Sequence, residues 1–151
     1  MNNIKHIIWD WNGTLIDDAW VCVKAMNVLL NKRSLNKISL DSYRKTFRFP
    51  VIDFYKSLGF NFNNESFEDC GREFIDLYIK YQCDAKLHDD VRNTLENVAK
   101  KGIKNHILSA SQVNILNNPL DGLINYPFIN IPKFNGLSII FLTTYEEYLS
   151  D

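Results

Sequence analysis

The sequence predicts an α/β fold in which a parallel sheet carries an inserted block of helices. Two short apolar segments, Ile4 to Trp9 and Ile103 to Leu108, have the composition of buried strands. Between them, apolar residues recur mainly at helical spacing. The helices are too many for a single crossover connection. We therefore expect the two strands to be parallel neighbours, with a small helical domain inserted after the first.

The helical block divides at turn and capping residues. Asp17 and Asp18 stand before the first helix and are expected to cap it. Ser66, with Asp69 three residues later, marks the start of a longer helix. The predicted helices cover residues 17–33, 40–47, 51–58, 67–81 and 91–101.

The pattern changes after residue 118. Pro119, Pro127 and Pro132 interrupt any helix, and only residues 137–142 again have the composition of a strand. We expect residues 119–151 to complete the sheet only in part. An incomplete sheet leaves an exposed edge, which favours self-association.

The composition is that of an ordinary globular chain. Of its 151 residues, 46% are hydrophobic and 23% are charged, which excludes disordered, collagen-like and coiled-coil proteins. The net charge is -1, so no positive field is available to bind nucleic acid. No apolar run approaches the ~20 residues of a membrane span. The three cysteines are odd in number and scattered, which indicates a reducing compartment. We expect a soluble cytoplasmic protein.

The first candidate site follows the first predicted strand. Asp10 lies where ligands gather in parallel sheets, beyond the carboxyl ends of the strands. Its carboxylate could attack phosphorus or bind Mg²⁺. Gly13 would let the backbone approach a phosphate, and Thr14 would add a hydroxyl. The alternative is a solvated turn, because Asp, Asn and Gly are common in turns.

The second candidate site follows the second predicted strand. If the strands are neighbours, the Ser109 hydroxyl and the Ala110 N–H face the same crevice as Asp10. A hydroxyl and a backbone donor are suited to hold a transferring phosphoryl group. The alternative is a serine-rich loop that caps a helix starting near Gln112.

These residues resemble the motifs of a known superfamily. Residues 7–15, Ile-Ile-Trp-Asp-Trp-Asn-Gly-Thr-Leu, closely resemble the first motif of the haloacid dehalogenase superfamily, an apolar strand followed by Asp-x-Asp-Gly-Thr-Leu. Residues 107–109, Ile-Leu-Ser, resemble its second motif. The helical block resembles the cap of the phosphoglycolate-phosphatase-like branch. The resemblance covers about residues 1–116, and the family's third and fourth motifs are not found after it.

The resemblance implies a fold and an activity. It implies a Rossmann-like core from residues 1–16 and 86–151, a helical cap from residues 17–85, and Mg²⁺-dependent hydrolysis of a small phosphate ester. Asp10 would be the nucleophile and a metal ligand. Residue 12 would be the general acid/base, with its backbone carbonyl on the metal. Ser109 would bind the transferring phosphoryl group.

Position 12 departs from the family pattern. Asn12 stands where the family has Asp, and an amide cannot give a proton to a leaving oxygen. General acid catalysis, typically worth about 10²–10⁴-fold, is therefore expected to be impaired. Lys133 is the nearest candidate for the lysine of the third motif. The alternative function is a catalytically inactive member of the family that serves as a binding or interaction domain.

The histidines and two of the cysteines are expected to be structural. His6, His88 and His106 are far apart in sequence and have no acidic partner at a useful spacing. Cys22 and Cys70 lie on apolar helical stripes and are expected to be small buried side chains.

Overall fold

The computed structural model describes residues 4–109 and the backbone of residues 137–141. In chain order its elements are β1 (His6–Asp10), β2 (Ile16–Asp17), α1 (Ala19–Lys32), α2 (Leu40–Thr46), α3 (Val51–Ser57), α4 (Phe67–Tyr81), a 3-10 turn (Gln82–Asp84), β3 (Lys86–Leu87), α5 (Val91–Lys100), β4 (Lys104–Ser109) and β5 (Leu137–Phe141). Among these residues, no helix combines the length and the apolar character needed to cross a bilayer.

Within the described residues, the main sheet has three parallel strands in the order β1-β4-β5. The predicted α/β class and the parallel pairing of the first two strands are confirmed. The register pairs His6 with Lys104 and Asp10 with Leu108. The third strand falls within the predicted residues 137–142, and the rest of residues 119–151 lies outside the described residues.

One face of the sheet is covered by α5. Asn105, only 5% exposed, links the two layers. Its side-chain nitrogen donates to the Leu95 carbonyl at 3.1 Å, and its Oδ1 accepts from the Trp9 indole N–H at 2.9 Å. Val91 and Leu95 form the buried side of α5, whereas Ala99 is exposed. Residues on the other face of β1, including Ile8, are exposed.

The chain forms two compact units. The first is Met1–Asp17 with Ala85–Asp151, and the second is Asp18–Asp84. The first unit contains the parallel sheet, α5 and the short antiparallel ribbon of β2 and β3. The second contains α1 to α4 and the 3-10 turn. The role of the second unit as a cap stays a prediction.

The helical unit is built around an apolar core. Its most buried side chains are Met26, Leu29, Leu30, Phe54, Tyr55, Phe60 and Cys70. Full burial of a leucine contributes about 1.5–3 kcal/mol, so this cluster dominates the stability of the unit. The buried stripe of α1 also includes Val21 and Ala25, whereas Trp20, Cys22 and Val23 are only half-buried. The predicted burial of Cys22 in this stripe is therefore wrong.

The helix starts use their polar residues in different ways. Ser66 caps α4 as predicted, because its hydroxyl accepts from the Asp69 N–H at 3.2 Å. Asp18 occupies the cap position of α1, but its side chain makes no capping bond. Instead this buried carboxylate accepts a 2.5 Å hydrogen bond from the Tyr78 hydroxyl. Asp17 lies in β2, so the predicted capping by both aspartates is wrong.

A charged network joins the end of α1 to the start of α4. Arg33 donates to both carboxylate oxygens of Glu65, at 3.0 and 2.8 Å, and to Glu73 at 3.1 Å. The Arg33 hydrogen bonds hold the pKa of Glu65 below its usual range. Because the folded-state pKa is depressed, the stabilisation is present above the unfolded pKa of about 4.3 and is lost as the pH falls through the folded value.

We expect Glu65→Gln to lower the free energy of unfolding by about 1 kcal/mol at neutral pH. This is the contribution of a charged hydrogen bond, reduced because the pair is partly exposed to solvent. The loss should shrink as the pH falls through the folded-state pKa of Glu65, which the Arg33 hydrogen bonds hold below its usual range. Denaturant titrations at pH 7 and at successively lower pH values check this. Asp53→Asn, which removes an exposed pair with Lys56 at 4.0 Å, is the control and should change little. A loss that stays the same over the whole acid range would show that the charge of Glu65 contributes nothing.

Candidate active site

Asp10 is the last residue of β1 and is exposed at the carboxyl edge of the sheet. The Thr14 hydroxyl donates to its Oδ2 at 2.9 Å. The strand fixes the backbone of Asp10, and this hydrogen bond fixes the orientation of its carboxylate. Thr14 thereby acts on Asp10 itself, a role that the sequence pattern does not show.

The turn after Asp10 is closed by its own backbone. The Trp11 carbonyl accepts from the N–H groups of Thr14, Leu15 and Ile16 at 3.0–3.3 Å. Gly13 has φ +74, a conformation that L side chains rarely adopt, and its N–H donates to the Ile16 carbonyl at 3.0 Å. The N–H groups of Gly13 and Thr14 are thus engaged inside the turn. Contacts from these two groups to a phosphate would require the turn to open.

The two tryptophans beside Asp10 occupy different environments. Trp11 is 1% exposed, and its indole N–H has no hydrogen-bond partner among the described residues. Trp9 is half-buried, and its N–H donates to Asn105. Burial of Trp11 anchors the turn that carries Asn12, Gly13 and Thr14. Asn12 is half-buried and forms an isolated bridge with Ile16.

Ser109 is the last residue of β4, the strand adjacent to β1. It is 2% exposed. The register pairs Asp10 with Leu108, so Ser109 lies one residue further along. Side chains alternate between the faces of a sheet, and Ser109 follows the buried positions Asn105 and Ile107. Asp10 and Ser109 therefore share an edge of the sheet but not a face, and a common ligand would lie beyond the strand ends. Ala110, Gln112 and Lys133 lie outside the described residues.

A cavity of about 370 Å³ lies beside this turn, between Thr14, Leu15 and the start of α5. His88, Asp89 and Asp90 contribute its polar lining. Neither Asp10 nor Ser109 lines it. The cavity therefore does not mark the site that the two motifs define.

The thiols most buried in the helical unit are poor rivals to Asp10 as nucleophiles. Burial raises the pKa of Cys22 to about 12 and the pKa of Cys70 to about 11. Both thiols are therefore protonated at neutral pH, and it is the thiolate that attacks. Cys70 is buried as predicted, whereas Cys22 is half-buried.

Comparison with protein families identifies the chain. The profile described as haloacid dehalogenase-like hydrolase matches residues 7–126, a span that includes the Asp10 turn and Ser109. The chain belongs to this family. The predicted resemblance is confirmed, and the match continues past its expected limit near residue 116.

Solved structures of haloacid dehalogenase-like proteins share the fold. One from Bacteroides fragilis, described as a haloacid dehalogenase-like hydrolase, has a TM-score of 0.70 and 20% identity, covering 92% of this chain and 63% of that chain. One from Lactobacillus plantarum, described as a phosphoglycolate phosphatase, has a TM-score of 0.67 and 18% identity, with coverages of 90% and 62%. CbbY from Rhodobacter sphaeroides, solved in complex with phosphate, has a TM-score of 0.65 and 14% identity, with coverages of 92% and 64%.

These similarities show the fold of the haloacid dehalogenase-like hydrolases. This chain spans less than two-thirds of the length of each of the three structures. A comparison with curated proteins finds no match.

Haloacid dehalogenase-like phosphatases generally use Mg²⁺. The described residues of this chain supply few ligands for such an ion. Asp10 offers an exposed carboxylate, which is a hard oxygen ligand. Among the described residues, no group of three or more His, Cys, Asp or Glu side chains could hold a metal ion. Mg²⁺ is commonly bound by one or two carboxylates together with substrate phosphate and water. The donor set therefore suits an ion that binds together with phosphate.

We expect Mg²⁺ alone to bind weakly, without a tight site, because the Asp10 carboxylate and the Asn12 carbonyl would replace only a small part of its hydration shell. Adding inorganic phosphate should strengthen Mg²⁺ binding, since each ligand adds contacts for the other. Isothermal titration calorimetry with and without phosphate measures this, and Asp10→Asn should remove the coupling. A low-micromolar Mg²⁺ site in the bare protein would mean that further ligands exist.

Proposed function

We propose that the chain acts as a Mg²⁺-dependent phosphatase on a small phosphate ester, through a covalent aspartyl-phosphate on Asp10. The observation that carries this proposal is the exposed Asp10 carboxylate at the end of β1, oriented by the Thr14 hydroxyl at 2.9 Å. It is supported by Ser109 at the end of the adjacent strand and by membership of a hydrolase family.

In the proposed reaction, an Asp10 oxygen attacks phosphorus and the bond between phosphorus and the leaving oxygen breaks. Thr14 donates to Oδ2, so Oδ1 is the oxygen proposed to attack. Water then attacks the aspartyl-phosphate, which releases inorganic phosphate and restores the carboxylate. Bound Mg²⁺ would neutralise charge on the phosphoryl oxygens. The Ser109 hydroxyl is proposed to donate to one of those oxygens.

Asn12 limits which leaving groups can depart. An amide cannot protonate the leaving oxygen, so an alkoxide would have to leave unassisted. A phenol is a far stronger acid than an alcohol, so a phenolate can leave without being protonated. We therefore propose that aryl phosphates are hydrolysed in preference to alkyl phosphates.

The proposal also covers the substrate, the cellular location and the role of each unit. The helical unit, Asp18–Asp84, is proposed to act as the cap that selects a small phosphorylated metabolite. Self-association through the sheet edge, a cytoplasmic location and the absence of nucleic-acid and membrane partners are proposed on the sequence grounds given above.

In the second candidate function, the chain is a family member that binds its ligands but does not turn them over. Asn12 favours it, because the residue proposed to handle the leaving-group proton is an amide. In that case the site would still bind phosphate and Mg²⁺ together, but it would release no product.

Phosphate release from an aryl phosphate and from an alkyl phosphate distinguishes the two functions. The phosphatase proposal expects release that requires Mg²⁺, stops with EDTA and is faster for the aryl ester. Ser109→Ala should slow it, because a donor to the phosphoryl group is lost. No release from either ester, combined with Mg²⁺-coupled phosphate binding, would leave the binding function in its place.

A further inference from the structure

Two histidines that are far apart in sequence meet on the exposed face of the sheet. His6 begins β1, and His106 lies in β4. In the register, His6 pairs with Lys104 and His106 pairs with Ile8. The histidines therefore occupy diagonal positions on one face of adjacent strands. The two residues are 100 positions apart in the sequence, so their spacing gave no indication of this contact.

The ring nitrogens of the pair are within hydrogen-bond distance. His6 Nδ1 lies 2.7 Å from His106 Nε2, and the rings are stacked with centroids 5.0 Å apart and planes 26° apart. One nitrogen donates N–H and the other accepts. His6 is exposed and His106 is half-buried, so an ion from solvent can reach the pair.

We propose that His6 and His106 form a two-histidine site for a transition-metal ion of the Ni²⁺ or Cu²⁺ class. Imidazole is a preferred ligand of these ions. Binding replaces the bridging N–H by the ion: the donating ring shifts its proton to its other nitrogen, so two neutral rings bind without net proton release. Water completes the coordination.

The spacing of the two nitrogens selects among metal ions. With metal–nitrogen distances of about 2.0–2.1 Å, two ligands at a right angle are about 2.9 Å apart, and two tetrahedral ligands are about 3.3 Å apart. The observed 2.7 Å needs a smaller adjustment for the right-angle geometry of Ni²⁺ or Cu²⁺ than for tetrahedral Zn²⁺. The site is therefore expected to prefer Ni²⁺ over Zn²⁺.

The pair is separate from the proposed phosphatase site. His6 and Asp10 stand at opposite ends of β1, about 13 Å apart at 3.3 Å per residue. Lys104, in register with His6 and exposed, is the nearest positive charge on the neighbouring strand. Its ammonium opposes a bound cation, so Lys104→Gln should tighten Ni²⁺ binding.

The three histidines of the chain allow a matched test. Ni²⁺ binding is measured by calorimetry for the unmodified chain and for His6→Gln, His106→Gln and His88→Gln. The proposal expects His88→Gln to bind like the unmodified chain. Loss of either paired ring should weaken binding by about tenfold or more, since even outer-shell changes cost about 10–100-fold.

Nuclear magnetic resonance gives a second readout that does not depend on the variants folding equally well. Paramagnetic Ni²⁺ should broaden the imidazole signals of His6 and His106 before those of His88. Equal Ni²⁺ affinity in all four proteins, or selective broadening of His88, would overturn the proposal. Either result can be obtained whether or not the chain hydrolyses phosphate esters.

Discussion

Asp10→Asn is expected to reduce Mg²⁺-dependent phosphate release by on the order of 10³-fold or more, because an amide is not a competent nucleophile toward phosphorus. The substitution keeps the size of the side chain, and the Thr14 hydroxyl can still donate to the amide oxygen. The turn after β1 should therefore persist, and the loss reports on chemistry. Initial rates on an aryl phosphate measure the effect.

The control for this variant is Asp76→Asn, which makes the same chemical change at an exposed position of α4. It should leave the rate unchanged. Persistent turnover in Asp10→Asn would remove the covalent mechanism, even if the chain proved to be a phosphatase. Equal losses in both variants would indicate that net charge, and not the nucleophile, controls the rate.

Asn12→Asp is expected to raise phosphate release by about tenfold or more. General acid catalysis is typically worth about 10²–10⁴-fold, and the expected gain is set below that range because two family motifs are not found. The two side chains are similar in size, so packing around the half-buried position should change little. The introduced carboxyl lies two residues from the Asp10 carboxylate. Repulsion between the two carboxylates raises at least one of their pKa values unless a cation lies between them. A raised pKa suits a group that must protonate a leaving alkoxide.

The gain from Asn12→Asp should be larger for an alkyl phosphate than for an aryl phosphate, because only the alkoxide needs the proton. This dependence on leaving group separates acid catalysis from a general improvement in folding. Asn93→Asp, on the exposed side of α5, is the control for the added charge and should change neither rate. If Asn12→Asp leaves both rates unchanged, the rest of the catalytic site is not assembled.

Much of the site could be predicted because its signals are local. The apolar run before Asp10 predicts β1, and Ser66 with Asp69 predicts the start of α4; both depend on contacts within a few residues. The orientation of Asp10 by Thr14 is also local, yet the pattern of residue types did not show it, because hydroxyls in turns have many partners. The engagement of the Gly13 N–H inside the turn could be seen only from its backbone geometry.

The sequence by itself determined the α/β class, the parallel pairing of β1 with β4, and the placement of Asp10 and Ser109 at neighbouring strand ends. These follow from hydrophobic periodicity and from the rule that connected parallel strands are neighbours. Only the tertiary structure decided the register, and with it the contact between His6 and His106 and the position of Ser109 one residue beyond the register partner of Asp10. It also decided that Asp18 binds Tyr78 instead of capping α1. The physical reason is that the spacing of apolar residues indicates which face of a strand or helix a side chain occupies. Its partner on that face depends on the register and packing of segments that are distant in sequence.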